Sequence, residues 1–343
     1  MKFFSKIEDD APRILVVSTT GLGDTLWATP SIRAIKTTYP KALLVVLTSS
    51  LGKSVLSNNP YIDHLLTIEH NCLKQIPSLL KKLRNYRFDT TLVFHLSQRP
   101  TLPLCYFAKP SNIIGTEGIN KGLDSLLTKK LPKRYQHEIL RRLEITKTIG
   151  ASTEDLSLEV YITQQEKDYA QSIFNSLNIT ANTPIIALNP GSKDRFKQWA
   201  PSAFIELGQK LHHNLGAQIL VTGGTEEKQL AHHIAQNIPQ AKTVSGLFSV
   251  KELAAFFSCL DIFITNDTGP MHLAFATKTK TIALFCPTDP HLCGPLGLSN
   301  VIVMQENQSC TPCLNKKCRE PFCMLQISPD TILYKVQKLL SIP

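Results

Sequence analysis

At 343 residues, with 43% hydrophobic and 19% charged side chains, the chain carries enough apolar material for about two domains and is excluded from the disordered classes. No apolar run approaches the roughly 20 residues that span a bilayer, and the opening MKFFSKIEDDAPR has acids and no apolar signal core, which predicts a cytoplasmic protein. The formal charge of +10 is uneven: residues 1–181 hold 23 Lys and Arg against 16 Asp and Glu, the remainder 14 against 11.

In chain order, RILVVST (13–19) is a short continuous apolar run and predicts a buried strand. Asp24 to Tyr39, apolar at Leu26, Trp27, Ile32 and Ile35, predicts a helix. ALLVVLTSS (42–50) and HLLTI (64–68) predict two further strands, and IPSLLKKLRNY (76–86) an amphipathic helix. DTTLVFHL (89–96) and SNIIGTEG (111–118) read as strands, and YQHEILRRLEITKTIGA (135–151) as a helix closing on Gly150. NITANTP (178–184) has the turn formers of a linker, and the same grammar restarts after it. IIALNPG (185–191), QILVTGG (218–224), DIFITND (261–267) and TIALFCP (281–287) each end an apolar strand at a turn-forming or polar residue. Helices are predicted over 201–214, 226–237, 250–259, 269–277 and 329–340. Strands separated by helices pair in parallel through right-handed crossovers. The chain therefore reads as two α/β domains of similar build, 1–180 and 181–328, with a last helix within 329–343. Loops at the carboxyl ends of both sheets are expected to face a shared cleft that takes the ligands.

Two stretches concentrate positive charge. From Asn71 to Phe88 there are five basic residues (Lys74, Lys81, Lys82, Arg84, Arg87) and no acid, and a second basic stretch runs from Lys121 to Lys147. Such faces steer nucleic acid, acidic lipid head groups or phosphorylated sugars, or else are solvated helix faces. Nucleic acid lacks the aromatic interleaving and recognised modules it would need here.

The stretch VVSTTGLGDTLWATP (16–30) follows the first strand. Gly21 and Gly23 match the start of a dinucleotide fingerprint, but position 26 is Leu and VVLTSS offers no acid for a ribose. A phosphate-binding Gly-Lys-Ser/Thr is absent too. What remains is a tight turn, Thr20, Gly21 and Gly23, presenting Asp24 at a helix start, where the carboxylate either caps the helix or acts on a ligand. In NPGSKDRFKQW (189–199), Gly191 and Ser192 offer amides and a hydroxyl, and Lys193, Arg195 and Lys197 add charge within one loop, a combination suited to a diphosphate. In TGGTEEK, Glu226 or Glu227 either accepts from ribose hydroxyls or complements a helix dipole. In TNDTGPMHLAFA, Asp267 and Thr268 leave a strand, Gly269 frees the backbone and Pro270 favours a first helical turn. The Thr268 and Gly269 amides then form an anion site, and His272 either bonds a phosphate or sugar or is a structural histidine.

Together GLGDTLWATPSIRAIKTTYP, HEILRRLEITKTIG, NPGSKDRFKQWAPSAFIELGQKL, TGGTEE and TNDTGPMHLAFA resemble glycosyltransferase family 9, the lipopolysaccharide heptosyltransferases of Gram-negative cells. The pieces stand in family order and cover nearly the whole chain. CTPCLNKKCREPFCM with its trailing ISPD resembles a cysteine-rich tail of many members, particularly those like the second heptosyltransferase. The resemblance implies the GT-B fold, two Rossmann-like domains, with the closing helix packing back on the N-terminal domain. It implies an inverting transfer of L-glycero-D-manno-heptose from ADP-heptose, bound by the C-terminal domain, to a lipid A-core acceptor at the N-terminal domain. On the same resemblance Asp24 is the general base, and Thr20, Gly21 and Gly23 form the acceptor-side turn. Gly191, Ser192, Lys197 and the Thr268–Gly269 amides take the diphosphate, Asp267 and His272 the heptose or phosphates, Glu226 the ribose and Phe248 the adenine. Leaving-group charge is met by positive side chains and helix amides, so catalysis requires no metal or other cofactor. The expected place of work is the cytoplasmic face of an anionic inner membrane, touched by the basic N-terminal domain. The alternatives are a family 9 enzyme for another sugar or acceptor, and a nucleotide-binding module without turnover.

Nine cysteines remain. Cys310, Cys313, Cys318 and Cys323, spaced C-x2-C-x4-C-x4-C, either hold a structural zinc or stay as free thiols or a reducible disulfide.

Overall fold

A computed structural model describes residues 11–69, 72–306, 310, 318 and 322–341. Its contacts divide the chain into two compact units, Met1–Tyr161 and Ile162–Pro343. The division falls ahead of the linker read from the sequence. Arg33 holds the irregular segment after residue 150 to the first unit through Asp155 (3.1 Å) and Glu159 (2.7 Å).

The first unit runs β1 (Arg13–Ser18), α1 (Leu22–Leu26), α2 (Thr29–Thr38), β2 (Leu43–Thr48), α3 (Ser50–Leu56), β3 (His64–Thr67), α4 (Ile76–Tyr86), β4 (Thr90–His95), α5 (Thr101–Phe107), β5 (Asn112–Thr116), β6 (Lys129–Leu131) and α6 (Glu138–Lys147). Its sheet is parallel throughout, in the order β3-β2-β1-β4-β5-β6. Strand alternation sends Leu15, Val17, Val45, Leu47 and Val93 into one core with Leu79 and Leu83 of α4 and Leu102 and Leu104 of α5. Helices α2 and α6 pack on each other, and α6 lies against β4 and β5.

The helix expected from Asp24 to Tyr39 is two helices, broken at Trp27 and Ala28. Pro30 has no N–H to give the Leu26 carbonyl, which accepts instead from the Thr29 hydroxyl at 2.7 Å. Within this unit, two short helices and an edge strand were not read from the sequence. Helices α3 and α5 have seven residues each, too few to show a period, and β6 is an exposed Lys-Lys-Leu edge without apolar alternation.

The second unit runs α7 (Gln164–Ser176), β7 (Ile185–Asn189), α8 (Pro201–Leu215), β8 (Gln218–Val221), α9 (Lys228–Gln236), β9 (Lys242–Thr243), α10 (Val250–Phe257), β10 (Ile262–Asn266), α11 (Gly269–Ala276), β11 (Thr281–Leu284), α12 (Pro290–Cys293), β12 (Val301–Met304), α13 (Phe322–Leu325) and α14 (Pro329–Leu340). Its parallel sheet has the order β12-β11-β10-β7-β8-β9. Ile186, Leu188, Ile262 and Ile264 pack with α8, α9 and α14 on one face. On the other, Phe263 meets Phe257 at 4.3 Å, and Phe256 stacks on Phe174 of α7. Helix α14, expected on the N-terminal domain, packs on α8 within its own unit, where Lys210 reaches Asp330 at 2.5 Å.

Counted within each unit, both sheets have the doubly wound order 3-2-1-4-5-6. The first and fourth strands are therefore neighbours whose chains leave toward opposite sides, opening a crevice at their carboxyl ends.

Close packing at the first crevice depends on Gly52 of α3, where an added methyl would overlap the Thr48 hydroxyl that donates to the Ser18 carbonyl at 2.7 Å. Gly52→Ala is expected to cost about 1–3 kcal/mol by overpacking, read as a lower urea midpoint with unchanged slope.

Candidate active site

In the first unit the crevice lies between the ends of β1 and β4. The chain leaves β1 through Thr19 and Thr20 and enters α1 at Gly21, whose extended backbone (φ −69°, ψ −178°) places Asp24 in the first helical turn. Asp24 does not cap the helix: α1 has no side-chain cap. Its Oδ1 instead accepts from Arg142 Nη2 at 3.0 Å, and its Oδ2 has no hydrogen bond among the described residues. The carboxylate is a quarter exposed, whereas Arg142 is wholly buried.

Arg142 also donates to Glu138 Oε2 (2.5 Å) and to the Glu138 carbonyl (2.9 Å), and its guanidinium lies 5.4 Å from the centre of the Trp27 ring. Arg141 binds the same Glu138 oxygen at 2.7 Å and the Phe94 carbonyl at 3.0 Å, which ties α6 to the end of β4. Burial pushes the Glu138 carboxyl up, but the Arg142 and Arg141 guanidiniums outweigh it and hold it down to about 2. Burial lowers the Arg142 guanidinium from its ordinary value, and Arg141 adds to the shift while Glu138 and Asp24 oppose it. His95, at the end of β4, is pushed down by burial, with Asp24 opposing and Arg142 adding to the shift. Its buried Nδ1 has no hydrogen-bond partner among the described residues.

Arg142, Glu138 and His95 were not singled out from the sequence. The signal for the first two was present in HEILRR: an acid followed by arginines at i+3 and i+4, all on one helical face.

In the second unit the crevice lies between the ends of β7 and β10. Asn189 donates to Thr265 Oγ1 at 3.0 Å, and Asn266 donates to the Pro190 carbonyl at 2.9 Å while accepting from the Trp199 amide at 3.1 Å. These bonds fix the Gly191–Trp199 loop against the strand that carries Asp267. Lys197 Nζ meets Asp267 Oδ2 at 2.5 Å, the lysine one-fifth exposed and the aspartate 6%. Of the three cations in the loop, Lys197 alone pairs with an acid at the strand ends; Lys193 and Arg195 are exposed. Ser192 accepts through its carbonyl from Gln198 (2.8 Å) and through its hydroxyl from the Asp194 amide (3.3 Å).

Thr268 precedes α11 in an extended conformation, and α11 has no side-chain cap. The amides of Thr268 and Gly269 donate no hydrogen bond among the described residues, so both stand at the positive helix end. His272 is buried in the first turn of α11, edge-on to Phe275 at 5.7 Å. Glu227, not Glu226, lies against the loop: a methyl on Gly191 would overlap its carboxylate, which also accepts from the Gly224 amide at 2.7 Å. Glu226 is exposed, without hydrogen bond or ion pair among the described residues. Phe248 is half-buried between Tyr169 (6.1 Å) and Phe256 (4.8 Å).

The cysteine run falls partly outside this description. Cys313 lies outside the described residues, and among those described no group of three or more His, Cys, Asp or Glu is placed to hold a metal. Cys323 Sγ lies 2.7 Å from Cys286 Sγ, just beyond β11.

The family model of Glycosyltransferase family 9 (heptosyltransferase) matches residues 76–323. The chain is similar to the lipooligosaccharide heptosyltransferase 2 of Campylobacter jejuni, 25% identical over 336 residues that cover 96% of this chain and 98% of that one. Among solved structures it is similar to a family 9 glycosyl transferase from Veillonella parvula (TM-score 0.85, 21% identity, 97% and 98% of the two chains). It is also similar to the E. coli ADP-heptose lps heptosyltransferase II (TM-score 0.77, 19% identity, 96% and 98%), and thus shares the GT-B class of fold.

The depressed Glu138 carboxyl gives a pH dependence with a definite sign. Its stabilisation is fully present above its ordinary value of 4.5 and is lost as pH falls toward 2. Thermal midpoints taken across that window should fall more steeply for the wild type than for Glu138→Gln; parallel curves would contradict the buried pairing.

Proposed function

This chain belongs to glycosyltransferase family 9, and from that membership and the two strand-end sites we propose that it transfers L-glycero-D-manno-heptose from ADP-heptose to the inner core of lipopolysaccharide, with inversion. The observation that carries the reading is the Asp24 carboxylate, held on one oxygen by a buried arginine and open on the other. Asp24 Oδ2 takes the proton of the acceptor hydroxyl while that oxygen forms its bond to the anomeric carbon. The bond from that carbon to the diphosphate breaks on the opposite face, and ADP leaves with the electron pair. Lys197, Gly191, Ser192 and the Thr268–Gly269 amides meet the charge that develops on the leaving group, so no cofactor enters the step. Asp267 and His272 serve the sugar or phosphates, Glu226 the ribose, Phe248 the adenine, and Thr20, Gly21 and Gly23 the acceptor side.

The relatives support this donor and acceptor class, one being a lipooligosaccharide heptosyltransferase and another an ADP-heptose lps heptosyltransferase. Among the described residues no helix is long and apolar enough to cross a membrane. We place the enzyme on the cytoplasmic face of the inner membrane, where a lipid A-core acceptor is anchored and the surplus positive charge of the first unit meets anionic lipid.

Two substitutions test the assignment with ADP-heptose and a panel of truncated lipopolysaccharide cores, product being read by mass spectrometry. Asp24→Asn should lower kcat by about 10²-fold or more while calorimetric ADP affinity stays at the wild-type level. Lys197→Ala should weaken ADP binding and lower kcat by about 10²-fold. Turnover by Asp24→Asn at the wild-type rate would remove the base from position 24; ADP binding without transfer to any core would favour the module without turnover.

A further inference from the structure

The two basic stretches differ in what their charges do. In the second, Arg141 and Arg142 are buried and spent on Glu138 and Asp24 and Arg134 pairs with Glu144, while Lys121, Lys130, Lys133 and Lys147 are exposed. In the first, Lys74, Lys81, Lys82, Arg84 and Arg87 are all exposed, and none pairs with an acid among the described residues. Lys81 and Arg84, three residues apart on α4, share one face of that helix, and Lys74 lies in the turn before it.

Beside that face lies an exposed apolar pair. Tyr106 and Phe107, in the last turn of α5, are 48% and 54% exposed, with rings 5.6 Å apart and nearly perpendicular. They are not a frayed end: the flanking Leu104, Cys105 and Ala108 are buried in the core with α4. Arg84 Nε donates to the Phe107 carbonyl at 3.0 Å, which brings the cationic face alongside the rings, and the exposed Lys109 follows directly in chain.

We propose that this α4–α5 face is the surface by which the protein docks on a bilayer containing anionic lipid, with Tyr106 and Phe107 entering the interface and Lys81, Arg84 and Lys109 taking lipid phosphates. This deepens the proposed function and rests on its lipid-anchored acceptor. Six unneutralised cations match an anionic plane in sign, and a ring pair with one hydroxyl tip matches the boundary between headgroup and acyl chain. Packed edge against face, the two rings do not offer the open parallel platform on which bases stack.

The test is flotation of the full chain with vesicles of phosphatidylcholine alone or with about one-third phosphatidylglycerol. Binding is expected to the anionic vesicles only, and to fall as salt rises from about 0.05 to about 0.5 M. Each neutralised cation, Lys81→Gln or Lys109→Gln, should weaken binding by about fivefold, and Tyr106→Ser with Phe107→Ser by about tenfold or more. All four positions are solvent-facing, so melting temperature, ADP affinity and transfer to a delipidated soluble core should stay at wild-type values. Wild-type binding indifferent to phosphatidylglycerol, or variants that bind like the wild type, would overturn the proposal. So would a dimer in light scattering that Tyr106→Ser with Phe107→Ser abolishes, since the face would then belong to a second copy. Failure of transfer to any core would strike the heptosyl reading alone, because vesicle binding is measured without substrate.

Discussion

A guanidinium with no exposure to solvent organises the first unit. Burying an arginine is expensive unless carboxylates and hydrogen bonds surround it, and Arg142 has both. It meets Asp24 on α1 and Glu138 on α6, with the Trp27 ring beside it. Arg141 extends the brace from Glu138 to the Phe94 carbonyl on β4. The ends of β1 and β4, which the strand order sends in opposite directions, are thereby tied through one helix. Removing either carboxylate would leave the buried guanidinium with the other alone, so the conformation of Asp24 is held by the same bonds that hold the fold at that point.

The two units share a topology and invert its electrostatics. At the β1–β4 crevice a partly exposed carboxylate stands in front of a buried cation. At the β7–β10 crevice a partly exposed ammonium, Lys197, stands in front of a nearly buried carboxylate, Asp267. In each case the inner group fixes the position of the outer one, and the outer group retains bonding capacity toward a ligand. One scaffold thus provides an anion suited to accepting a proton and a cation suited to a phosphate.

The alternation of apolar strands with helices was legible because buried parallel strands write themselves as continuous apolar runs, as RILVVS and IFITN do. IPSLLKKLRNY was read to the residue, since its amphipathic period and flanking turns agree. Short elements were not legible: α3 and α5 span barely two turns, and β6 is held by its neighbour β5 rather than by its own propensity. The break at Trp27 was foreshadowed by Pro30 but outweighed by apolar positions on either side. Of the site, the glycine turns and the loop cations were visible as motifs. The pairing of Asp24 with a residue 118 positions away was not, since no local spacing encodes it. Nor did spacing show which of Glu226 and Glu227 lies against the loop; the missing side chain at Gly191 admits the Glu227 carboxylate there and leaves Glu226 exposed.

On the proposed reaction, the Lys197–Asp267 pair would bear on turnover as well as on binding. An ammonium has three donors; one goes to Asp267, and Lys197 makes no other hydrogen bond among the described residues. An arriving diphosphate can therefore be met without displacing the aspartate. The bound anion then shares its cation with a carboxylate that is 6% exposed and cannot move away into water. That sharing weakens the grip on a fully formed ADP relative to a lone lysine. The uncapped amides at Thr268 and Gly269 carry no such counter-charge and strengthen as charge accumulates on the leaving oxygen. On the proposed reaction, amides that favour the departing charge, combined with a lysine already paired with an aspartate, would favour bond cleavage without trapping the product.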